Sequence, residues 1–253
     1  MTESCLTKAE FEKKRTVAEY IQWVEDRGYA SYGGEEYKNF MLDKGLWKEF
    51  HHEAVPLAKL LEKKFSECGN MTVAHMIGNQ PYDVVVRGSS IASLQYIEIT
   101  DASMDSDEAD RTEMVVKEGS CFTTGAVIKS GNKHKGKEIV STGHTVPGGT
   151  QASCAIEKII KVIDKKFKKG NSYPKNTALL VFFKDKGFYL TGYKADLIQQ
   201  LTEKYSGVKT EFSHLFLLGS ENKIFLETPL KGAQFKLEVA WVTTPVSHEA
   251  LHL

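Results

Sequence analysis

The hydrophobic positions of this chain change period from helical to extended and back. In TKAEFEKKRTVAEYIQWVEDR, residues 7 to 27, Phe11, Val17, Tyr20, Ile21 and Val24 fall near helical spacing. That predicts one amphipathic helix, stopped at Gly28. ASYGGEE reads as a turn, and a second helical stretch runs from about Glu36 through DKGLWKEFHHEAVPLAKLLEKKFSEC. Pro56 predicts a fresh helix start, because its missing N–H is harmless in a first turn. Leu57, Leu60, Leu61 and Phe65 then line one face. After CGN the period becomes two, and MTVAHMIG, PYDVVVRG and LQYIEIT predict three successive strands.

DASMDSDEADR is a polar loop or helix start, and VVKEGSCFTTGAVIKSGNKHKGKEIVSTG predicts further strands with turns at Gly131-Asn132 and Lys135-Gly136. HTVPGGTQAS reads as a loop. CAIEKIIKVIDKKFKKG is the most regular helix, with a stripe of Ile156, Ile159, Ile160, Ile163 and Phe167. NTALLVFF predicts a fully buried strand, GFYLTGY a short one and KADLIQQLTEKY a helix. HLFLLG, KIFLETP and QFKLEVAWV predict late strands. No repeat or low-complexity linker interrupts this order. The expected architecture is an α/β core over 54–253 with an N-terminal helical extension over 1–53.

Composition narrows the partners. The 253 residues are 41% hydrophobic and 26% charged, as in a folded chain. Lys plus Arg equals Asp plus Glu at 33 each, so a nucleic-acid surface would be a local patch rather than a global field. Cys5, Cys68, Cys121 and Cys154 form no C-x-x-C pair, which predicts reduced thiols. No apolar run approaches the ~18 residues a membrane span needs, and MTESCLTKAEFEKKR has no apolar leader core. A soluble, cytoplasmic protein without a membrane partner is the expectation.

The chemistry concentrates at Asp83 and Glu98. If PYDVVV and LQYIEIT pair antiparallel about a turn centred between Ser90 and Ile91, Asp83 falls opposite Glu98. Like charges there are unfavourable. A hard divalent cation resolves the conflict, since Mg²⁺ binds through one or two carboxylates, waters and phosphate oxygens. The competing reading makes Asp83 a turn acid after Pro81 and Glu98 part of a solvated face. A one-residue slip of register would also separate the two.

Helix, three antiparallel strands, helix, strand, with acids at these positions, resembles the restriction-endonuclease-like, PD-(D/E)XK nuclease superfamily from about Val55 to Phe183. The resemblance implies a mixed central sheet flanked by helices. Pro81-x-Asp83 matches the first part of the family motif. Glu98-Ile99-Thr100 matches the second, with Thr100 where the family carries lysine. It further implies that Asp83 and Glu98 bind Mg²⁺ or Mn²⁺, with Glu62 in LLEKKF as the matching helix acid. Some members carry the lysine on the following helix. Lys166, three residues after Ile163, is placed to reach inward, with Lys161 and Lys165 as alternatives and Gln151 near the helix start. A solvated lysine face is the competing reading for each.

KSGNKHKGK supplies Lys129, Lys133, Lys135 and Lys137, a candidate nucleic-acid patch or a solvated turn. GHTVPGGTQ lacks the ending of a P-loop, His51-His52-Glu53 is not H-E-x-x-H, and GSSIAS is not G-x-S-x-G. The expected function is a metal-dependent nuclease acting on DNA rather than RNA, with a restriction or defence role and a homodimer implied by the family. The alternatives are an inactive nucleic-acid or protein binding module of the same fold, and an unrelated α/β protein.

Overall fold

The computed structural model describes residues 6–30, 34–103, 106–121, 127–132, 136–141, 143, 148–168, 173–185, 188 and 192–230. A threonine N-cap and a capping box divide the segment whose apolar spacing predicts a single helix. Thr7 Oγ1 accepts from the Glu10 N–H at 3.2 Å and opens α1 (Lys8–Phe11). Thr16 Oγ1 accepts from the Glu19 N–H at 3.3 Å, and Glu19 Oε2 accepts from the Thr16 N–H at 2.8 Å, opening α2 (Val17–Ala30). Between them Arg15–Thr16 forms β1. The Arg15 guanidinium lies 4.2 Å from the Trp23 ring centroid and donates to the Glu10 and Lys13 carbonyls. That anchoring turns the chain out of its helix and into the sheet.

The next helical run comes as α3 (Gly34–Met41), α4 (Trp47–Glu49), a π-helical turn (Phe50–Ala54) and α5 (Val55–Phe65). Pro56 does not begin a separate helix. It has no N–H to offer the His52 carbonyl, and its ring crowds that group. The turn widens, the Val55 N–H donates to the Phe50 carbonyl, and the helix continues. The strands and helices that follow are β2 (Thr72–His75), β3 (Val84–Arg87), β4 (Tyr96–Asp101) and α6 (Ser106–Glu118). Then come β5 (Val127–Asn132), β6 (Gly136–Ser141), α7 (Gly148–Lys168), β7 (Thr177–Phe183), α8 (Tyr193–Tyr205), β8 (His214–Gly219) and β9 (Phe225–Pro229).

Four sequence expectations change. Val115 and Val116 lie in α6 rather than a strand, and Gly148 and Gly149 already belong to α7 rather than a loop. Gly131 and Asn132 pair with Lys137 and Gly136 within the β5–β6 ladder rather than forming turns. Tyr193 opens α8 rather than closing a strand. The expected strand QFKLEVAWV lies outside the described residues.

The main sheet is mixed, in the order β1-β2-β3-β4-β7-β8-β9. The pairs from β1 to β4 are antiparallel, β4–β7 and β7–β8 parallel, and β8–β9 antiparallel. Helices flank both faces. Strand alternation sorts β7: Ala178, Leu180 and Phe182 join a layer with Tyr20, Leu57 and Leu61 of α2 and α5. Leu179, Val181 and Phe183 join the other layer with Ile156, Ile159 and Ile163 of α7 and with α8. Burying each such side chain contributes about 1.5–3 kcal/mol, and the two layers clamp the strands between them. No helix among the described residues is long and apolar enough to cross a membrane.

Inside the α2/α5 layer, the Tyr20 hydroxyl and His75 Nε2 share a hydrogen bond of 2.5 Å, both groups fully buried. Burial pushes the His75 imidazole down to about 3, so it stays neutral. In the unfolded chain it would take a proton near 6.5. This histidine therefore supports the fold above that value, and its contribution is lost as pH falls toward 3. We expect Tyr20→Phe to leave the buried nitrogen without its partner, lowering stability by about 1–3 kcal/mol in urea unfolding at neutral pH. In His75→Phe the loss of stability between pH 6.5 and 3 should be shallower than in the wild type.

Candidate active site at the β3–β4 hairpin

The site begins with a register. Val84 pairs with Ile97 and Val85 with Tyr96, the partners demanded by a turn centred between Ser90 and Ile91. Beyond Val84 the ladder gives way to Asp83. Its N–H donates to the Ile97 carbonyl at 2.9 Å. Its Oδ2 accepts from the Ile99 N–H at 2.6 Å, so a side-chain oxygen replaces a strand acceptor. Asp83 is thereby held level with Glu98.

Alternation decides where Glu98 points. Ile97 and Ile99 belong to the α2/α5 layer, so Glu98 turns to the opposite face, where its strand partner Leu179 packs beneath α7. Lys166 meets it there. One turn beyond the buried Ile163, its Nζ donates to Glu98 Oε1 in a short, part-buried ion pair. Lys161 and Lys165 are exposed on other faces of the helix, and Gln151 is half-buried in the first turn of α7. Thr100, half-buried, lies two residues along β4 from Glu98 on the same face.

Of the acids on the preceding helical run, Glu53 rather than Glu62 is the one on which the charges of Asp83 and Glu98 act. Glu62 sits on α5 one residue beyond the buried Leu61 and is exposed, because helical spacing turns it away from the stripe that packs on the sheet. Glu53 projects from the π-helical turn, with Oε2 3.8 Å from His75 Nδ1. Burial raises its carboxyl well above the ordinary carboxylate range, and Asp83, Glu49 and Glu98 push it further against the opposing charge of His52. Asp83 is raised too. Burial and then Glu98 drive that shift, against the Ile99 N–H and Lys166. The buried Oε2 of Glu49 has no hydrogen-bond partner among the described residues.

A second polar chain buttresses the turn. His52 Nδ1 bonds to Asp101 Oδ2 at 2.8 Å, and its Nε2 to Asp43 Oδ2 at 3.2 Å. His51 Nδ1 bonds to Asp43 Oδ1. With a carboxylate on each nitrogen, Asp101 the stronger, the His52 imidazole is raised to about 9 and carries a proton at neutral pH. Burial alone would raise Asp43, but hydrogen bonds from the two histidines bring it down to about 2.

The arrangement offers hard oxygen donors around one amine. No group of three or more His, Cys, Asp or Glu among the described residues is spaced to hold a metal ion. A pair of carboxylates is nonetheless an adequate protein contribution for Mg²⁺, which keeps waters and takes substrate oxygens. Asp83 and Glu98, level on neighbouring strands, form a charge imbalance that such an ion would relieve, so the pair fits.

Of the expected nucleic-acid lysines, Lys129 lies in β5 and Lys137 in β6, in a two-stranded sheet separate from the main one. Lys133 and Lys135 lie outside the described residues. Sequence reasoning missed Glu53, His52 and Asp101. The available signal was Pro56 three residues after Glu53, a position that distorts the preceding turn.

No protein family, curated protein or solved structure matches this chain.

The crowded acids make a testable demand on stability. A carboxyl whose folded value is raised supports the fold below its unfolded value near 4. That support is lost as pH rises through the folded value. Asp83→Asn keeps an oxygen for the Ile99 N–H and removes the repulsion. It should stabilise the metal-free protein by about 1 kcal/mol at pH 8 and by less at pH 5, read from denaturant midpoints. Lys166→Met should act oppositely, costing roughly 1–3 kcal/mol below the figure for a fully buried pair.

Proposed function

We propose that this chain is a divalent-metal-dependent phosphodiesterase acting on nucleic acid, DNA rather than RNA, on a restriction-endonuclease-like fold. The observation that carries the reading is the β3–β4 register, which holds Asp83 level with Glu98 while Lys166 Nζ pairs with Glu98 from α7. The run α5, β2, β3, β4, α7, β7, with α6 and the β5–β6 hairpin inserted, supports the fold assignment. Asp83 and Glu98 would hold Mg²⁺ or Mn²⁺, with Glu53 in the role expected of Glu62. Such an ion supplies Lewis-acid polarisation of a phosphate oxygen and a more acidic water.

The chain's own groups do the rest. Lys166 is the amine that meets Glu98 among the described residues, and it would supply the positive charge that Thr100 cannot. From Glu98 it would orient the attacking water and offset charge on the phosphate oxygens. Lys129, Lys133, Lys135 and Lys137 would add phosphate contacts that weaken with salt. Loss of the strand lysine favours the second reading, an inactive binding module of the same fold.

Purified protein, supercoiled plasmid and Mg²⁺ or Mn²⁺ separate the readings. Wild type should cut, and Asp83→Ala and Glu98→Ala should each lose about 10³-fold or more, the scale of several kcal/mol of transition-state stabilisation. Lys166→Ala should lose about 10²–10³-fold, and adding Thr100→Lys to it should restore part of that loss. Cutting that survives both acid substitutions would falsify the site. Absent cutting and absent Mn²⁺ binding, with plasmid still bound, would leave the binding module.

A further inference from the structure

We propose that His52 is a positioning residue: by bridging Asp101 at the end of β4 to Asp43 before α4, it holds the π-helical turn that carries Glu53 against the strand that carries Glu98. What Glu53 does there rests on the metal-site reading above, whereas the bridge itself does not.

Three observations lead to this role. Glu53 Oε2 lies 3.8 Å from the buried His75 Nδ1, beyond hydrogen-bond reach, so that contact does not anchor the turn. Something must hold its backbone in place. The local backbone is poorly suited to that task. Pro56 cannot donate to the His52 carbonyl, and the turn is closed by the wider bond from Val55 to Phe50.

The hold comes from side chains instead. Asp101 shares a face of β4 with Ile97 and Ile99, the side on which α5 and the turn lie, and it follows Glu98 by three residues on the same strand. The 2.8 Å bond from His52 Nδ1 to Asp101 Oδ2 therefore ties the turn carrying Glu53 to the strand carrying Glu98. The 3.2 Å bond from Nε2 to Asp43 Oδ2 braces the ring from behind, and His51 fixes Asp43 in turn. Ser103 N–H completes the set by donating to Asp101 Oδ1 at 2.6 Å, which orients the carboxylate toward the ring. Partners of this kind typically govern metal affinity by 10–100-fold without touching the ion.

Asparagine and glutamine separate the two bonds, because the Asn amide nitrogen takes the place of Nδ1 and that of Gln the place of Nε2. His52→Asn should keep the tie to Asp101, and His52→Gln should lose it, as should Asp101→Ala. Two measurements decide. In metal-free protein, hydrogen exchange across residues 50–56 should quicken at least several-fold in His52→Gln and Asp101→Ala, with β7 unchanged and His52→Asn close to wild type. In Mn²⁺ titrations followed by electron paramagnetic resonance, without nucleic acid, the same two variants should bind about 10-fold or more weakly. Unchanged exchange across the turn in both variants overturns the bridge. Faster exchange with unchanged Mn²⁺ affinity overturns the link to Glu53. Wild type that binds no Mn²⁺ while exchange responds supports the bridge and overturns the metal-site reading.

Discussion

One pairing governs this end of the sheet: Val84 against Ile97, with Val85 against Tyr96. Val84, Val86, Ile97 and Ile99 commit one face of this hairpin to the α2/α5 layer. The register cannot slide without sending Ile97 and Ile99 out of an apolar layer. Because it cannot slide, Asp83 arrives level with Glu98 whether or not the charges agree. The apolar layers provide the force, and the acids are placed by it against their own repulsion.

That ordering of effects explains why the conflict survives. Burying two carboxylates side by side costs on the order of a kcal/mol or more, yet the layers on either side bury dozens of apolar groups. Lys166 answers only part of the charge. Its pairing with Glu98 leaves Asp83 and Glu53 both raised above the ordinary carboxylate range. The other cation at hand, His52, is committed to Asp101 and Asp43.

How much of this could be read from the chain depends on whether periodicity carried it. The Asp83–Glu98 register was legible because a short hairpin with alternating strands leaves few pairings. Lys166 was legible because the isoleucine stripe of α7 sets which face of the helix meets the sheet. Glu62 was the natural reading of the preceding helix, but Leu57, Leu60, Leu61 and Phe65 use the packed face and leave Glu62 outside. Glu53 was not legible by spacing, since the π-helical turn inserts an extra residue and breaks the period. The N-terminal break was signalled, by Thr7-x-x-Glu10 and Thr16-x-x-Glu19, and was masked by apolar positions that happened to suit one long helix. Val115 and Val116 misled in the opposite way, as β-branched residues that α6 overrides.

A lysine at the position of Thr100 would share a face with Glu98 and be held beside it by the strand. Lys166 comes from a separate element, across the gap between α7 and the sheet, on a flexible four-carbon stem. In the structure that stem ends on Glu98. Its reach to Glu98 therefore depends on the packing of α7 on the sheet, which the stripe Ile156, Ile159 and Ile163 provides.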